Sequence, residues 1–169
     1  GTVNFSSSDF QAGLPLSYTF TAADKGVHTF TATLKTAGIQ TIRVSETQFG
    51  ASGSQSGIAV SAAAVTSITS SGPQHVIAGT PFSMVVTARD AFGNLASNYT
   101  GKVKFTATDP QAVLPATYTF TAADAGTHAF AVTFKTATAQ NSFWSVTAVD
   151  GSNSAVTTTL GGIEVFNGA

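Results

Sequence analysis

GTVNFSSSDFQAGLPLSYTFTAADKGVHTFTATLKTAGIQ, residues 1–40, returns as GKVKFTATDPQAVLPATYTFTAADAGTHAFAVTFKTATAQ, residues 101–140. The offset is 100 residues without a gap, and 23 of the 40 positions are identical. Solenoid units run to roughly 20–50 residues, so a period this long is that of a whole domain. The chain therefore reads as part of a tandem array. The first copy opens at the strand that matches Val103–Ala107 and has no counterpart of residues 67–100. We expect an incomplete module at residues 1–63, built from later strands only, and a complete module at 64–169.

Hydrophobic periodicity is two almost throughout. Phe82, Met84, Val86 and Ala88 alternate with Ser83, Val85, Thr87 and Arg89. Val103, Phe105 and Ala107 alternate with Lys102, Lys104 and Thr106; His128, Phe130, Val132 and Phe134 with Ala129, Ala131, Thr133 and Lys135; Trp144, Val146 and Ala148 with Ser145, Thr147 and Val149. Such runs are half-buried antiparallel strands. The Ala-rich pieces are broken by Thr, Val and Gly too soon to hold a helix. Turn formers separate the runs: Ser71-Gly72-Pro73, Ala78-Gly79-Thr80, Asp90 to Asn94, Asp109-Pro110, Asp124-Ala125-Gly126 and Asp150-Gly151. About seven short strands in 100 residues predict an all-β chain of tandem immunoglobulin-like sandwiches. The expected core runs from Val76, Phe82, Met84 and Val86 through Val103, Phe105, Tyr118, Phe120, Phe130, Val132 and Phe134 to Trp144, Val146, Ile163 and Val165. The junction, Val60 to Ile68, lacks Gly and Pro and reads as a short extended connection.

Composition narrows the function classes. Charged residues are 9% of the chain, against roughly 25% in an ordinary domain, and net charge is −1. With no basic stripe, nucleic acid is not an expected partner. No apolar run approaches the roughly 20 residues of a membrane span, so no membrane insertion is expected. Cysteine is absent, which excludes disulfides and thiolate metal sites.

Chemistry-bearing residues are sparse. His28 and His128 are equivalent, one per module, and read as strand-end histidines. No Gly-x-Ser-x-Gly elbow occurs. Nearly all the acids lie close to Gly, Pro or Ser and read as turn residues, where a carboxylate bonds backbone amides two residues on. Asp90, Asn94 and Asp109 are the calcium candidates, should they converge at one end of the sandwich, since calcium needs six to eight oxygens. Lys35 and Lys135, in repeated Lys-Thr-Ala, are placed on the outer face with no acid evidently near. Phe92, Tyr99 and Trp144, with Phe49, are the candidate aromatics for a binding surface.

Ala78-Gly-Thr-Pro-Phe82, Val86-Thr-Ala-Arg-Asp90-Ala-Phe-Gly-Asn94 and Tyr99-Thr-Gly101 resemble the bacterial Ig-like repeats of large surface proteins of the invasin/intimin type, in which an Asp-x-x-Gly-Asn turn follows the second strand. Tyr118-Thr-Phe-Thr-Ala-Ala-Asp-Ala-Gly126-Thr-His-Ala-Phe130 is similar to the end of a filamin-type repeat. The resemblance implies a structural or spacer module of a long cell-surface or secreted adhesin-type protein or extracellular fibre. It implies no enzyme and no cofactor. Partners would be neighbouring repeats of the same array or a strand-donating chain, with a host or matrix protein or a glycan as further possibilities. A glycan- or protein-binding module acting through loop aromatics is the alternative.

Overall fold

A computed structural model describes residues 1–168, and the chain divides into two compact units, the first spanning Gly1–Ala62 and the second starting at Ala63. All regular structure is β, apart from two three-residue 3-10 turns at Ala22–Asp24 and Ala122–Asp124.

In the first unit, β1 (Thr2–Ser7), β2 (Tyr18–Thr19), β3 (Gly38–Glu46) and β4 (Ser52–Val60) form one antiparallel sheet in the order β2-β1-β3-β4. The register of β3 on β4 shifts between Gln40 and Ile42, where Gly57 adopts φ +72°. This is the bulge that a left-handed glycine permits.

The second unit contains β5 (Val65–Ser71), β6 (His75–Ile77), β7 (Phe82–Asp90), β8 (Lys102–Ala107), β9 (Tyr118–Thr119), β10 (Thr127–Val132), β11 (Trp144–Asp150) and β12 (Thr157–Phe166). Two sheets result, β10-β7-β5 and β6-β12-β11-β8-β9. Every pairing is antiparallel except β6 with β12, which is parallel. This is an immunoglobulin-like sandwich, as the alternation predicts. Met84, Val86 and Ala88 from one sheet and Val103, Val146, Ile163 and Val165 from the other are buried, with Phe120, Phe130 and Phe134 between them. Of the expected core, Phe82, Phe105, Tyr118 and Trp144 are only partly buried and pack on its rim. Ile68, Ala96, Tyr99, Ala148, Val156 and Leu160 complete it.

The first unit repeats the β9-β8-β11-β12 part of this sandwich. β1 corresponds to β8, β2 to β9, β3 to β11 and β4 to β12. The bulge recurs as well, between Trp144 and Val146 with Gly162 at φ +70°. Among the described residues the first unit shows no facing sheet: none of them forms a counterpart of β5 or β7 there, and residues 27–32, which match β10, form no strand. A strand needs a neighbour to satisfy its backbone groups, and β10 obtains one only from β7. Phe20, Phe30 and Leu34 are half-buried where Phe120, Phe130 and Phe134 are buried.

Candidate functional site

The most elaborate polar arrangements are carboxylate clusters, and each occurs in both units. After β8, Asp109 accepts the amides of Gln111 (2.9 Å), Lys135 (2.8 Å) and Thr136 (3.2 Å) and the Thr136 hydroxyl (2.8 Å). Asp9 does the same with Gln11, Lys35 and Thr36 at 2.6–2.9 Å. Burial alone would raise both carboxyls, but the bonds from the Thr hydroxyl and the amides outweigh it and hold them below their ordinary value. The repeated Lys-Thr thus has a backbone role, clamping the end of one sheet to the loop from the other. The expectation that no acid lies near these lysines is corrected: the acid binds the lysine amide.

At the 3-10 turn, Asp124 accepts the amide (2.6 Å) and hydroxyl (2.9 Å) of Thr121, the Tyr118 hydroxyl (3.1 Å) and His128 Nδ1 (2.6 Å). The Tyr118 and His128 rings stack at 4.2 Å and 27°. Asp24 repeats the cluster with Thr21, Tyr18 and His28. The Thr121 amide is the main cause of the low Asp124 carboxyl, at about 2, with His128 and Tyr118 adding to it. Tyr118 is raised in turn, by burial and then by the bond to Asp124. A His–Asp pair orients an imidazole for catalysis when a nucleophile sits at its other nitrogen. Among the described residues no hydroxyl bonds either histidine ring.

Of the three calcium candidates, only Asp90 and Asn94 come together. Asp90 binds the Asn94 side chain (2.8 Å) and the amides of Asn94, Phe92 and Ala63 (each 2.9 Å). Burial would raise its carboxyl, but the Asn94 side chain and these amides lower it to about 2. Asp109, however, lies at the other end of the sandwich. Asp90 ends β7, while Asp109 clamps Lys135, three residues beyond the Val132–Phe82 pair at the start of β7. The eight residues from Phe82 to Asp90 span roughly 27 Å at strand rise. Among the described residues no group of three or more His, Asp or Glu side chains is placed to hold a metal ion.

The aromatic candidates are dispersed too. Tyr99 is only 8% exposed; its hydroxyl donates to Asp150 and its ring lies 5.0 Å from Phe120. Burial first, then the bond to Asp150, raises the Tyr99 phenol far above its ordinary value. Trp144 donates Nε1 to the Thr136 carbonyl at 2.7 Å. In the first unit Gln40 Nε2 makes the same bond to Thr36 (3.0 Å). Of these four candidates, Phe92 (39%) and Phe49 (82%) are the exposed ones, and they belong to different units.

Sequence reading missed a hollow in the first unit. In the first unit, Gly1, Val3, Phe20, Gly26 and Phe49 line a depression of about 420 Å³ against Glu46. Glu46 Oε2 accepts the amides of Gln48 (2.9 Å) and Phe49 (2.5 Å). Oε1 is buried without a hydrogen-bond partner, and no other buried side-chain N or O among the described residues is in that state. The amides of Phe49 and Gln48 lower the Glu46 carboxyl and keep it charged.

No protein-family model matches the sequence, and no characterised protein matches it either. Solved structures do share its fold. A β-glycosidase from Bacteroides vulgatus and a glycosyl hydrolase family 2 member from Bacteroides cellulosilyticus each match 97% of this chain with a TM-score of 0.51 and 14% identity. The chain spans about one fifth of their length, 21% in each case. At this identity the likeness is one of β-sandwich architecture.

Proposed function

We propose that this chain is a non-catalytic, load-bearing Ig-like segment of an extracellular or cell-surface protein, working beside other Ig-like repeats and needing no cofactor. The observation that carries the reading is the parallel pair formed by β6 and β12. Glu164 N donates to Gln74 O and Ala78 N to Phe166 O, both at 2.8 Å. Tension that enters the second unit before β6 and leaves it after β12 slides these strands past each other. Their hydrogen bonds are then loaded together instead of opening one by one. The carboxylates support the non-catalytic part: each clustered aspartate spends its oxygens on amides and hydroxyls of its own fold. The resemblance to bacterial surface repeats points the same way.

Pulling single molecules of the full chain tests the reading. Residues 63–168 should open in one step at a force well above that of an unzipping hairpin. Ala78→Pro, which removes one donor of the pair, should lower that force far more than it lowers the urea midpoint. An unfolding force unaffected by Ala78→Pro, or a specific glycan that raises the melting temperature, would favour the binding-module alternative instead.

A further inference from the structure

We propose that the second unit binds a doubly charged tetrahedral oxyanion, inorganic phosphate or a phosphate monoester, in the hollow between Lys102 and Lys104. The site goes beyond the load-bearing reading and does not rest on it. In the sheet order β6-β12-β11-β8-β9, these lysines stand on β8, across β11 from the parallel pair.

The hollow is built by one strand and the corner beside it. Thr100, Lys102, Lys104, Thr117, Gly151 and Ser152 line a space of about 460 Å³, within the roughly 300–1,000 Å³ of small-molecule sites. Lys102 and Lys104 are exposed, and Val103 between them is fully buried. Both lysines therefore leave the outer face of the sheet, with roots about 7 Å apart. Gly151 N donates to the Lys102 carbonyl at 2.7 Å, which holds the corner against the strand. A Cβ on Gly151 would stand 3.5 Å from Lys104 Cε and 3.6 Å from Lys102 Cβ. The lysine stems thus lie over this glycine, and a side chain there would crowd the space.

Charge selects the ligand. Among the described residues every ion pair involves a histidine, so no carboxylate pairs with Lys102 or Lys104. Asp150, next to the hollow, is buried, and its oxygens take bonds from Tyr99, Ser152 and Asn153. The chain has only seven Lys and Arg, and no other two stand closer than eight residues apart. The pair is therefore not part of a broadly basic surface. Nor does the strand require it, because β1 forms with Thr2 and Asn4 at the matching places. Two like charges on one face repel, and an ion carrying two negative charges between them offsets both. A carboxylate or a phosphodiester supplies only one. An ammonium is a compact charge with three donors, which suits a tetrahedral oxyanion in several orientations. The hydroxyls of Thr100 and Thr117 add donors at the rim. No aromatic ring lines the hollow, so the anionic group itself is what the site reads.

Titrating inorganic phosphate into the full chain at pH 7.5 and constant ionic strength, followed by amide NMR spectra, tests this. Shifts should saturate with a midpoint on the order of 1 mM and centre on residues 100–104, 117 and 150–152. Sulfate, which has the same shape and two charges, should move the same amides, and acetate should not. Lys102→Gln and Lys104→Gln should each weaken binding about 10-fold. The double variant Lys102→Thr, Lys104→Asn, which installs the residues of the first copy, should abolish binding and leave the urea midpoint unchanged. Glycerol 3-phosphate binding more tightly than phosphate would identify a monoester as the ligand, and equal affinity would identify the free ion. Shifts that never saturate, or that are as large around Lys25, Lys35 and Lys135, would mean an adventitious ion only and overturn the proposal. Acetate binding as tightly as phosphate, or phosphate binding that survives the double variant, would overturn it too. The pulling experiment with Ala78→Pro does not involve these lysines, so either reading can fail while the other stands.

Discussion

Single carboxylates hold the corners of this fold. Asp90 and Asp124 sit near pH 2 in the folded state, below the ordinary carboxyl value of about 3.9. A depressed carboxyl binds fewer protons folded than unfolded, so its stabilisation is complete above the ordinary value and is lost as pH falls through the folded one. Urea midpoints of the full chain should therefore drop steeply between about pH 4 and pH 2; a midpoint constant over that window would show that these clusters contribute nothing to stability. Tyr99→Phe is the complementary change. It strands an Asp150 oxygen in a buried place and should cost about 1–3 kcal/mol, read from the same urea melts. The turn aspartates were legible in the sequence through their bonds to amides two residues on, whereas the bonds of Asp9 to Lys35 and of Asp109 to Lys135 span 26 residues and were not. The Tyr99–Asp150 bond joins residues 51 apart, and nothing in either neighbourhood announces it.

Strands show how far alternation alone carries. β7, β8, β10 and β11 lie where the period-two runs place them, since a pleated backbone sends successive side chains to opposite faces. Phe130→Ala should destabilise the second unit by about 3–5 kcal/mol, the usual cost of emptying a core aromatic site. Thr133→Ala, whose backbone bonds to Val113 stay intact, should cost under about 1 kcal/mol. Phe30→Ala should fall well short of Phe130→Ala, because Phe30 is only half-buried. Equal costs for the two phenylalanines, measured by urea melts that resolve the two units, would contradict the open face. Residues 27–32 carry much the same pattern as β10, and sequence reading treats the two alike. They differ because strand formation is settled across the ladder, by β7, and only secondarily along the chain.

At the scale of the whole molecule, the two units should behave differently. Expressed alone, residues 63–168 should melt in one cooperative transition, while 1–62 should show poor amide dispersion or aggregate, having an uncovered sheet face and an unpaired edge. Millimolar calcium should leave the melt of 63–168 unchanged; a rise with calcium that a chelator reverses would mean that Asp90 and Asn94 find ligands beyond those described. A sharp melt from isolated 1–62 would mean that its single sheet closes on itself. By itself the sequence determined the all-β class, the 100-residue repeat and most of the core, because each follows from periodicity and from self-comparison. Only the tertiary structure decided that Asp90 and Asp109 stand at opposite ends and that Tyr99 and Trp144 are tied inward. Those facts depend on which strands lie side by side and in what register, and register is a property of pairs of segments that no single segment encodes.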